Sequence, residues 1–401
     1  MIKIQDIATL SNGINFGKSA YTSGIKLIGV SDFKDRMYPD YNSLQEVDAK
    51  IVRENDFLHK GDIVFVRSNG NKELVGRCMM INQDIPVTFS GFCIRLRLNN
   101  TQLYNPTFFT YLFKSNGFRK AIAGTAVGAN IQNLSQGRLG NYEFECPNIE
   151  TQHRIATTLS RYDSLIDNYQ KQIKLLEEAA QRLYKEWFVN LRFPGHENTK
   201  IVDGVPEGWE KKKISDICDT IGGGTPSTKV ASYYEGGTIK WVTPTDITRN
   251  KSLCLLDTDK KITEEGLKHS SAKMLPAGTI LMTSRASVGY FGIADFEVST
   301  NQGFISCIPT LEYYQMYLLR NLMNRVEEIR IKAGGSTYLE ISKSVFRNLD
   351  IICPSDKILQ KFQARANAYY MQEKNLSTQL RLLTESRDRL LPKLLSGEIE
   401  V

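Results

Sequence analysis

Polar side chains of the kinds that bind DNA bases are concentrated in a few short stretches of this 401-residue sequence. They occur at 67–72 and 130–133 in the first half, and at 243–246, 283–287 and 299–302 in the second half. In the major groove, Arg makes paired hydrogen bonds with guanine, and Asn or Gln makes them with adenine. Turns use the same residue types to satisfy loop backbone, so at any single position turn chemistry is the more common explanation.

Together with Lys18 and the polar residues at 225–229, these stretches predict a set of candidate DNA contacts, each a polar or cationic side chain. The candidates are Lys18, Arg67, Ser68, Asn69, Asn71, Lys72, Asn130, Gln132, Thr225, Ser227, Thr228, Lys229, Thr245, Thr283, Ser284, Arg285, Ser287, Asn301 and Gln302.

Two glycine-containing stretches resemble sites for phosphate. Gly13 to Lys18 has one residue too few for a nucleotide-binding loop and follows no buried strand, so we predict no ATP site and a solvated Lys18. The stretch from Gly222 to Lys229 allows two interpretations. It is either a flexible loop or a loop whose backbone amides and hydroxyls approach phosphate oxygens.

No group of residues in the sequence predicts a reaction. Ser–His–Asp and HExxH patterns are absent, as is the Asn/Asp-Pro-Pro-aromatic signature of amino methyltransferases. The seven cysteines form no CxxC and the four histidines are isolated, so no metal site is predicted. We therefore predict no catalytic residue, no metal and no cofactor in this chain.

The composition is that of an ordinary globular protein, with 41% hydrophobic and 24% charged residues. The net charge of +7 permits a polyanionic partner but does not require one. No signal peptide and no apolar run of about 20 residues is present, which predicts no membrane span. Scattered, odd-numbered cysteines predict reduced thiols and a cytoplasmic location.

A long helix from Ile149 to about Asn190 is the element that we expect to position these stretches. Its apolar residues recur at alternating steps of four and three, with Ala180 in register, as in a coiled-coil seam. The seam comprises Ile155, Leu159, Tyr162, Ile166, Tyr169, Ile173, Leu176, Leu183 and Trp187. About 40 residues at about 1.5 Å each make a helix of about 60 Å, and its apolar stripe requires a partner.

The end of the chain supplies that partner. A shift of 207 residues superposes Tyr162 on Tyr369 and Leu183 on Leu390 without a gap. Glu373 and Arg387 interrupt the apolar pattern of the second helix, and we expect Pro392 to end or kink it. The second seam comprises Phe362, Tyr369, Leu376, Leu380, Leu383, Leu390 and Leu394.

The duplication extends into two globular parts of mixed α and β structure. Arg67-Ser68 parallels Ser284-Arg285, and Gly91-Phe92 parallels Gly303-Phe304. Short apolar runs predict strands, and single helices are predicted over Pro106–Ala123 and Leu311–Lys332. Because the second helix must run back along the first, we expect an antiparallel pair with the globular parts about 60 Å apart.

The predicted boundaries follow from this duplication. They are 1–147 for the first globular domain, 148–192 for the first helix, 193–208 for a linker, 209–353 for the second globular domain and 354–401 for the second helix.

Several motifs resemble those of one protein family. The second globular part opens with Gly208-Trp209-Glu210 and continues with Gly224-Thr-Pro-Ser-Thr228, and Cys353-Pro354 leads into the last helix. Lys185-Glu-Trp-Phe-Val189 resembles a helix ending of the same family. In their order and spacing, these motifs resemble the specificity subunit of type I restriction–modification systems, although the first globular part lacks the Gly-Gly-Thr-Pro opening.

The resemblance implies a fold of two target recognition domains, each followed by a long helix, with the two helices forming an antiparallel coiled coil. It implies a non-catalytic subunit whose domains each read one half of a bipartite target in double-stranded DNA. The helices would set the spacer and dock two methyltransferase (modification) subunits. S-adenosylmethionine would bind to those subunits, and ATP and Mg to the restriction/translocase subunits.

Two other functions remain open at this stage. One is a coiled-coil scaffold or adaptor whose globular parts bind proteins. The other is a specificity chain of a different methylase–nuclease assembly.

Overall fold

The computed structural model describes residues 1–34, 36–71, 73–123, 132–335 and 338–400, with Ala123 and Gln132 described in backbone only. The chain forms two compact units. The first unit comprises Met1–Leu165 and Leu383–Val401, and the second comprises Ile166–Leu382. Each unit therefore combines a globular part with a portion of both long helices.

The first globular part contains short strands and helices that lead into the first long helix. The strands are β1 (Ile2–Lys3), β2 (Ala8–Asn12), β3 (Tyr21–Ile28), β4 (Gln45–Val47), β5 (Ile63–Val66), β6 (Ser68–Asn69), β7 (Cys78–Met80), β8 (Val87–Phe89), β9 (Cys93–Leu98), β10 (Gln132–Asn133) and β11 (Glu143–Phe144). The helices are α1 (Ile4–Ile7), α2 (Pro106–Lys114), α3 (Asn116–Ala123), α4 (Gln136–Gly140) and α5 (Ile149–Tyr184), the last of which continues into the second unit.

An antiparallel sheet in the order β2-β9-β5-β7 forms the centre of the first unit, beside a three-stranded sheet in the order β4-β3-β8. Aromatic side chains fill the space between the larger sheet and helices α2 and α3, and the rings of Phe113 and Phe118 lie 4.9 Å apart. The prediction of one helix over Pro106–Ala123 was wrong. Ser115 has an extended backbone that separates α2 from α3, and its hydroxyl accepts from the Phe118 N–H at 3.3 Å.

The second unit repeats this plan with more strands. The strands are β12 (Ile201–Val202), β13 (Val205–Pro206), β14 (Glu210–Lys213), β15 (Cys218–Gly222), β16 (Ile239–Val242), β17 (Cys254–Leu255), β18 (Lys260–Ile262), β19 (Thr279–Thr283), β20 (Phe291–Ala294), β21 (Ser299–Thr300), β22 (Phe304–Pro309) and β23 (Asp350–Cys353). The helices are α6 (Pro244–Arg249), α7 (Glu264–Lys268), α8 (Gln315–Asn324), α9 (Val326–Lys332), α10 (Lys343–Arg347) and α11 (Asp356–Leu395), and α11 ends in the first unit.

The central sheet of the second unit has the order β15-β22-β19-β20-β17, so its first four strands repeat the order of the first unit's sheet. The single helix predicted over Leu311–Lys332 is also two helices, because Arg325 leaves helical geometry between α8 and α9. The predicted linker includes regular structure. It contains the hairpin of β12 and β13, and Phe193 at its start is buried.

Helices α5 and α11 pack antiparallel in each unit. In the first unit, Ile155 near the start of α5 shares a core with Leu394 at the end of α11. In the second unit, the ring of Trp187, just past the end of α5, lies 5.8 Å from that of Phe362 at the start of α11. Every predicted seam residue is buried or half-buried. Helix α11 continues to Leu395, three residues beyond Pro392.

The two charged residues in the second seam each have charged partners. In the first unit, Arg387 donates to Asp163 at 2.6 Å, and Asp163 also accepts from the Tyr111 hydroxyl at 2.5 Å. Burial, and then the neighbouring Asp163 carboxylate, raise the pKa of Tyr111, which keeps this hydroxyl a donor.

In the second unit, Glu373 lies beside Glu177 and the buried Arg320. Its carboxylate accepts from the Leu253 N–H at 2.6 Å. Burial, and then the charge of Glu177, raise the pKa of Glu373 to about 8. One guanidinium therefore balances a pair of carboxyl groups of which one is protonated at neutral pH.

The loop between β15 and β16 packs closely on its surroundings. A Cβ at Gly223 would overlap the carbonyl oxygens of Thr300 and Asn301, and one at Gly224 would overlap backbone atoms of Ser271 and Ala272. Only glycine permits these backbone approaches, so Gly223 and Gly224 are required by the packing of the loop.

We predict that Glu373→Gln makes stability less dependent on pH. In the folded protein the pKa of Glu373 is about 8, above its ordinary value of 4.5. Protonation therefore stabilises the fold at low pH, and this stabilisation is lost as pH rises from about 5 to about 8. Over that interval the free energy of unfolding should fall by roughly 1 to 3 kcal/mol less in the variant than in the wild type.

Urea unfolding at a series of pH values measures this difference. Glu178→Gln is the matched control, because Glu178 is half exposed and pairs with Lys174 at 3.7 Å. In the control, the free energy of unfolding should change with pH as steeply as in the wild type. Equal slopes for Glu373→Gln and the wild type would contradict the assignment.

We predict that Gly223→Ala destabilises the second unit by roughly 1 to 3 kcal/mol, because the new methyl group must displace backbone. Gly222→Ala, the adjacent control, should be tolerated, since its Cβ would lie 3.1 Å from the movable Nζ of Lys343. Thermal unfolding of the two variants makes the comparison. Equal melting temperatures would show that the loop can shift freely.

Candidate nucleic-acid interface

In the second unit, a tight turn after β19 presents Arg285 at the surface. Ala286 has a left-handed backbone with φ of 61°, and its N–H donates to the Leu339 carbonyl at 2.9 Å. Arg285 pairs with Glu340 across an antiparallel β-bridge, with Nε 3.6 Å from the carboxylate. The turn thus fixes the backbone that carries Arg285 while its guanidinium remains half exposed.

Thr283 and Ser284, which precede this turn, are buried. The hydroxyl of Thr283 donates to the Ser287 carbonyl and accepts from the Tyr290 N–H at 2.9 Å. These side chains hold the turn together, and we do not include Thr283 or Ser284 among the proposed DNA contacts. Ser287 is exposed.

The glycine loop places four of the candidates at the surface: Thr225, Ser227, Thr228 and Lys229. Thr225 donates a hydrogen bond to the exposed Gln302. The hydroxyl of Tyr234 donates to the Pro226 carbonyl at 2.6 Å, and burial raises the pKa of Tyr234, so this donor stays protonated. This hydrogen bond fixes the backbone of the loop next to its exposed residues.

The candidate segments of the second unit converge around residues 300–303. The Gly224 N–H donates to the Thr300 carbonyl at 2.9 Å, and the Ser284 N–H donates to the Gly303 carbonyl at 2.8 Å. A Cβ at Gly303 would lie 3.1 Å from Pro244, which precedes the exposed Thr245.

Asn301 is half-buried, and its side-chain oxygen accepts from the Gly303 N–H at 2.9 Å. It therefore helps to hold together the segments that meet at residues 300–303, which we call the junction of the second unit. Asn301 is thus only partly available to a ligand.

The first unit has an equivalent junction after β5. The Arg67 N–H donates to the Phe92 carbonyl at 2.8 Å, and β6 pairs with β10, which places Ser68 opposite Asn133. Arg67 and Ser68 are half-buried.

The other candidates of the first unit differ in the exposure and hydrogen bonding of their side chains. The side-chain oxygen of the half-buried Asn69 accepts from the N–H of the exposed Asn71 at 2.7 Å, in a local turn. Lys18 is exposed in a short 3₁₀ turn and no nucleotide-binding loop is formed there. Lys72 and Asn130 lie outside the described residues, as does the side chain of Gln132.

The two junctions share one hydrogen-bonding pattern. Leu134 N–H donates to the Arg67 carbonyl, and Ile341 N–H donates to the Ser284 carbonyl. A capping serine follows in each unit, Ser135 for α4 and Ser342 for α10. The parallel between Arg67-Ser68 and Ser284-Arg285 is confirmed by this pattern.

The parallel between Gly91-Phe92 and Gly303-Phe304 was wrong by one residue. The bond from Arg67 to Phe92 corresponds to the bond from Ser284 to Gly303. Phe92, which is 62% exposed, thus occupies the position of Gly303. The register differs because backbone pairing, rather than the shared glycine–phenylalanine pair, aligns the strands.

Sequence reasoning missed Phe92 and Glu340 at these junctions, and it placed Asn133 in the polar stretch 130–133 without naming it as a candidate. The pairing of Glu340 with Arg285 depends on strands that are distant in sequence, so no local signal identifies it. The sequence analysis used Phe92 only as part of the Gly91-Phe92 repeat, because the 62% exposure of its side chain depends on the fold.

Among the described residues, no group of three or more His, Cys, Asp or Glu side chains could hold a metal ion. Nor is any helix in the described part of the chain long and apolar enough to cross a membrane.

Comparison with known proteins agrees with this arrangement. The family model described as the type I restriction modification DNA specificity domain matches residues 1–178 and again 206–380. These two matches coincide with the structural repeat, since each covers one globular part and a portion of α5 or α11.

Two relatives are specificity subunits of type I restriction enzymes. That of HindI from Haemophilus influenzae is 26% identical over 408 aligned positions, covering 85% of this chain and 87% of the relative. That of MjaIX from Methanocaldococcus jannaschii is 39% identical over 160 residues, covering 39% of this chain and 37% of the relative.

The fold is also that of a solved structure, the type I restriction–modification S subunit from M. genitalium. The TM-score is 0.60 at 16% identity, with 98% of this chain and 94% of that chain covered. With the duplicated match to the family model, this fold makes the chain a member of the type I restriction–modification DNA specificity family, whose function is DNA sequence recognition.

Proposed function

We propose that each unit reads one half of a bipartite, asymmetric target in double-stranded DNA. The observation that carries this proposal is the repeated junction, in which one backbone pattern presents different polar side chains in the two units. A shared backbone pattern that carries different side chains in the two units suits the recognition of two different half-sites.

The exposed candidates divide by the chemistry that they offer to DNA. Lysines such as Lys18 and Lys229 suit phosphate oxygens, whereas Arg285, Ser287 and Gln302 can reach base edges. Phosphate contacts position the protein without specifying sequence, so the second group would carry the specificity.

The helices would set the spacer between the half-sites and dock two methyltransferase subunits. Large apolar side chains on the exposed faces of the helices support docking, including Leu175 of α5, which is 62% exposed, and Leu382 of α11, which is 52% exposed. Successive major-groove faces recur about every 34 Å, a spacing that a helix of about 60 Å can span.

This chain would perform no reaction of its own. The methyltransferase subunits would bind S-adenosylmethionine and methylate a flipped adenine, and restriction/translocase subunits would use ATP and Mg²⁺. The assembly would act on DNA in the cytoplasm.

We predict that exchanging residues 208–350 for those of a relative with another target alters one half of the methylated motif. The other half should stay unchanged, because the first unit is intact. Sequencing methylated DNA from cells that co-express the methyltransferase subunits reads out both halves. A change in both halves would contradict modular reading, and methylation that never depends on this chain would favour a scaffold for other proteins.

We predict that removing one heptad from each helix shortens the spacer and leaves the half-sites unchanged. Deleting 166–172 from α5 and 378–384 from α11 keeps the seam in phase. The deletion in α5 lies between Asp163 and Glu177. The deletion in α11 lies between Glu373 and Arg387, which are the neighbours of those two residues, so both polar clusters are kept. Seven residues span about 10 Å, or about three base pairs of DNA.

The control restores seven residues to each helix, with the seam residues kept and the exposed residues changed. It should methylate the wild-type motif. An unaltered spacer in the shortened variant would contradict the role of the helices as a ruler.

A further inference from the structure

We propose that Arg285 and Glu340 act together to read one G·C base pair in the half-site of the second unit. The guanidinium would bind guanine, and the carboxylate would bind the amino group of the paired cytosine. This inference rests on the proposed function and names a specificity-determining pair within it.

The two side chains lie next to each other on one face of the backbone. Arg285 and Glu340 are directly opposite in an antiparallel bridge, and opposite residues of such a bridge point to the same side. Their charged groups are 3.6 Å apart, with 47% of the arginine and 49% of the glutamate side chain exposed. An ion pair so exposed contributes little stability, so DNA could open it at small cost.

The backbone beneath the pair is held on both sides. On the Arg285 side, the Ser284 N–H donates to Gly303 at 2.8 Å and the Ala286 N–H donates to Leu339 at 2.9 Å. The backbone on that side therefore needs little further ordering when the side chains bind, which favours precise contacts.

Glu340 is fixed in the same way. Its N–H donates to the Gly334 carbonyl at 2.8 Å, and its carbonyl accepts from the Gly334 N–H at 3.0 Å. The glutamate is therefore part of the same hydrogen-bonded ribbon as Arg285 and not a neighbour on an independent loop.

The chemistry of the pair matches one base pair in particular. Guanine presents its O6 and N7 acceptors in the major groove, and the paired cytosine presents the N4 amino donor beside O6. Arginine binds the first two and glutamate accepts from the third. A two-stranded ribbon is also one of the elements that the major groove admits.

The carboxylate argues against a contact with the DNA backbone. A phosphate at Arg285 would bring its negative charge close to Glu340, and like charges at this distance repel. A base edge with acceptors and a donor side by side satisfies both groups.

The first unit carries a different pair at the same place. Ser68 is opposite Asn133, in the register that Arg285 and Glu340 have in the second unit. Neither residue is charged, so the shared framework presents different chemistry in the two halves. An asymmetric target requires such a difference.

The test uses this chain assembled with its methyltransferase subunits. Methylation rates are measured on duplexes that carry each of the four base pairs at every position of the target. For the wild type, one position in the second unit's half-site should require G·C. Arg285→Ala and Glu340→Ala should each relax the preference at that same position by about tenfold or more, with other positions unchanged.

Lys229→Ala is the matched control, because it removes an exposed charge from the same unit. Loss of a phosphate contact should slow methylation of all duplexes by a similar factor. Arg285→Lys, which keeps the charge but loses the paired geometry, should relax the same position as Arg285→Ala. Thermal unfolding should show all variants folded.

Three results would contradict the proposal that Arg285 and Glu340 read one base pair together. They are unchanged preferences in both variants, relaxation at two separate positions or at an A·T pair, and a uniform loss like that of Lys229→Ala. The absence of any bipartite target that depends on this chain would instead refute the proposed function, so the two failures are distinguishable.

Discussion

Antiparallel packing of α5 against α11 is the constraint on which each unit depends. A helix with a continuous apolar stripe is stable in water only when the stripe is covered, and each of these helices covers the other. In the first unit Ile155 packs in one core with Leu394, and in the second Trp187 packs on Phe362. Because both globular parts share their cores with these helices, the packing that buries the seam also supports the globular part that carries each junction.

The polar residues of the seam show how such an interface tolerates charge. Arg387 has Asp163 as a partner at 2.6 Å, and Arg320 has two carboxyl groups beside it. Two ionised carboxylates with one guanidinium would leave an unbalanced buried charge, which is why one of them keeps its proton near neutral pH. Buried ion pairs add little net stability compared with apolar packing, but they penalise a helix that slips in register. A slipped register would separate the charges from their partners.

Much of the fold could be predicted because its signals are local or repeated. The seam spacing predicts both long helices, and the repeat of 207 residues predicts the duplication. The break at Arg325 gives no local signal, whereas the break at Ser115 has one that was not used, since Ser115 is followed by Asn116-Gly117 and caps the next helix. Buried Glu373 was visible as an irregularity, yet its partner Arg320 lies on another helix and gives no local signal.

The interface was predicted less completely than the helices. Sequence reasoning found the stretch around Arg285 but not Glu340, whose pairing with Arg285 depends on a bridge formed by the tertiary fold. It also included Thr283 and Ser284, because burial is not visible in a polar residue type.

The central claim is that this chain carries two DNA readers joined by paired helices. Sequencing methylated DNA from cells with and without the gene tests it most directly. We expect a motif in two specific parts with a gap of fixed length, which disappears when the gene is removed. A continuous motif, or a pattern of methylation that does not change without the gene, would contradict the account.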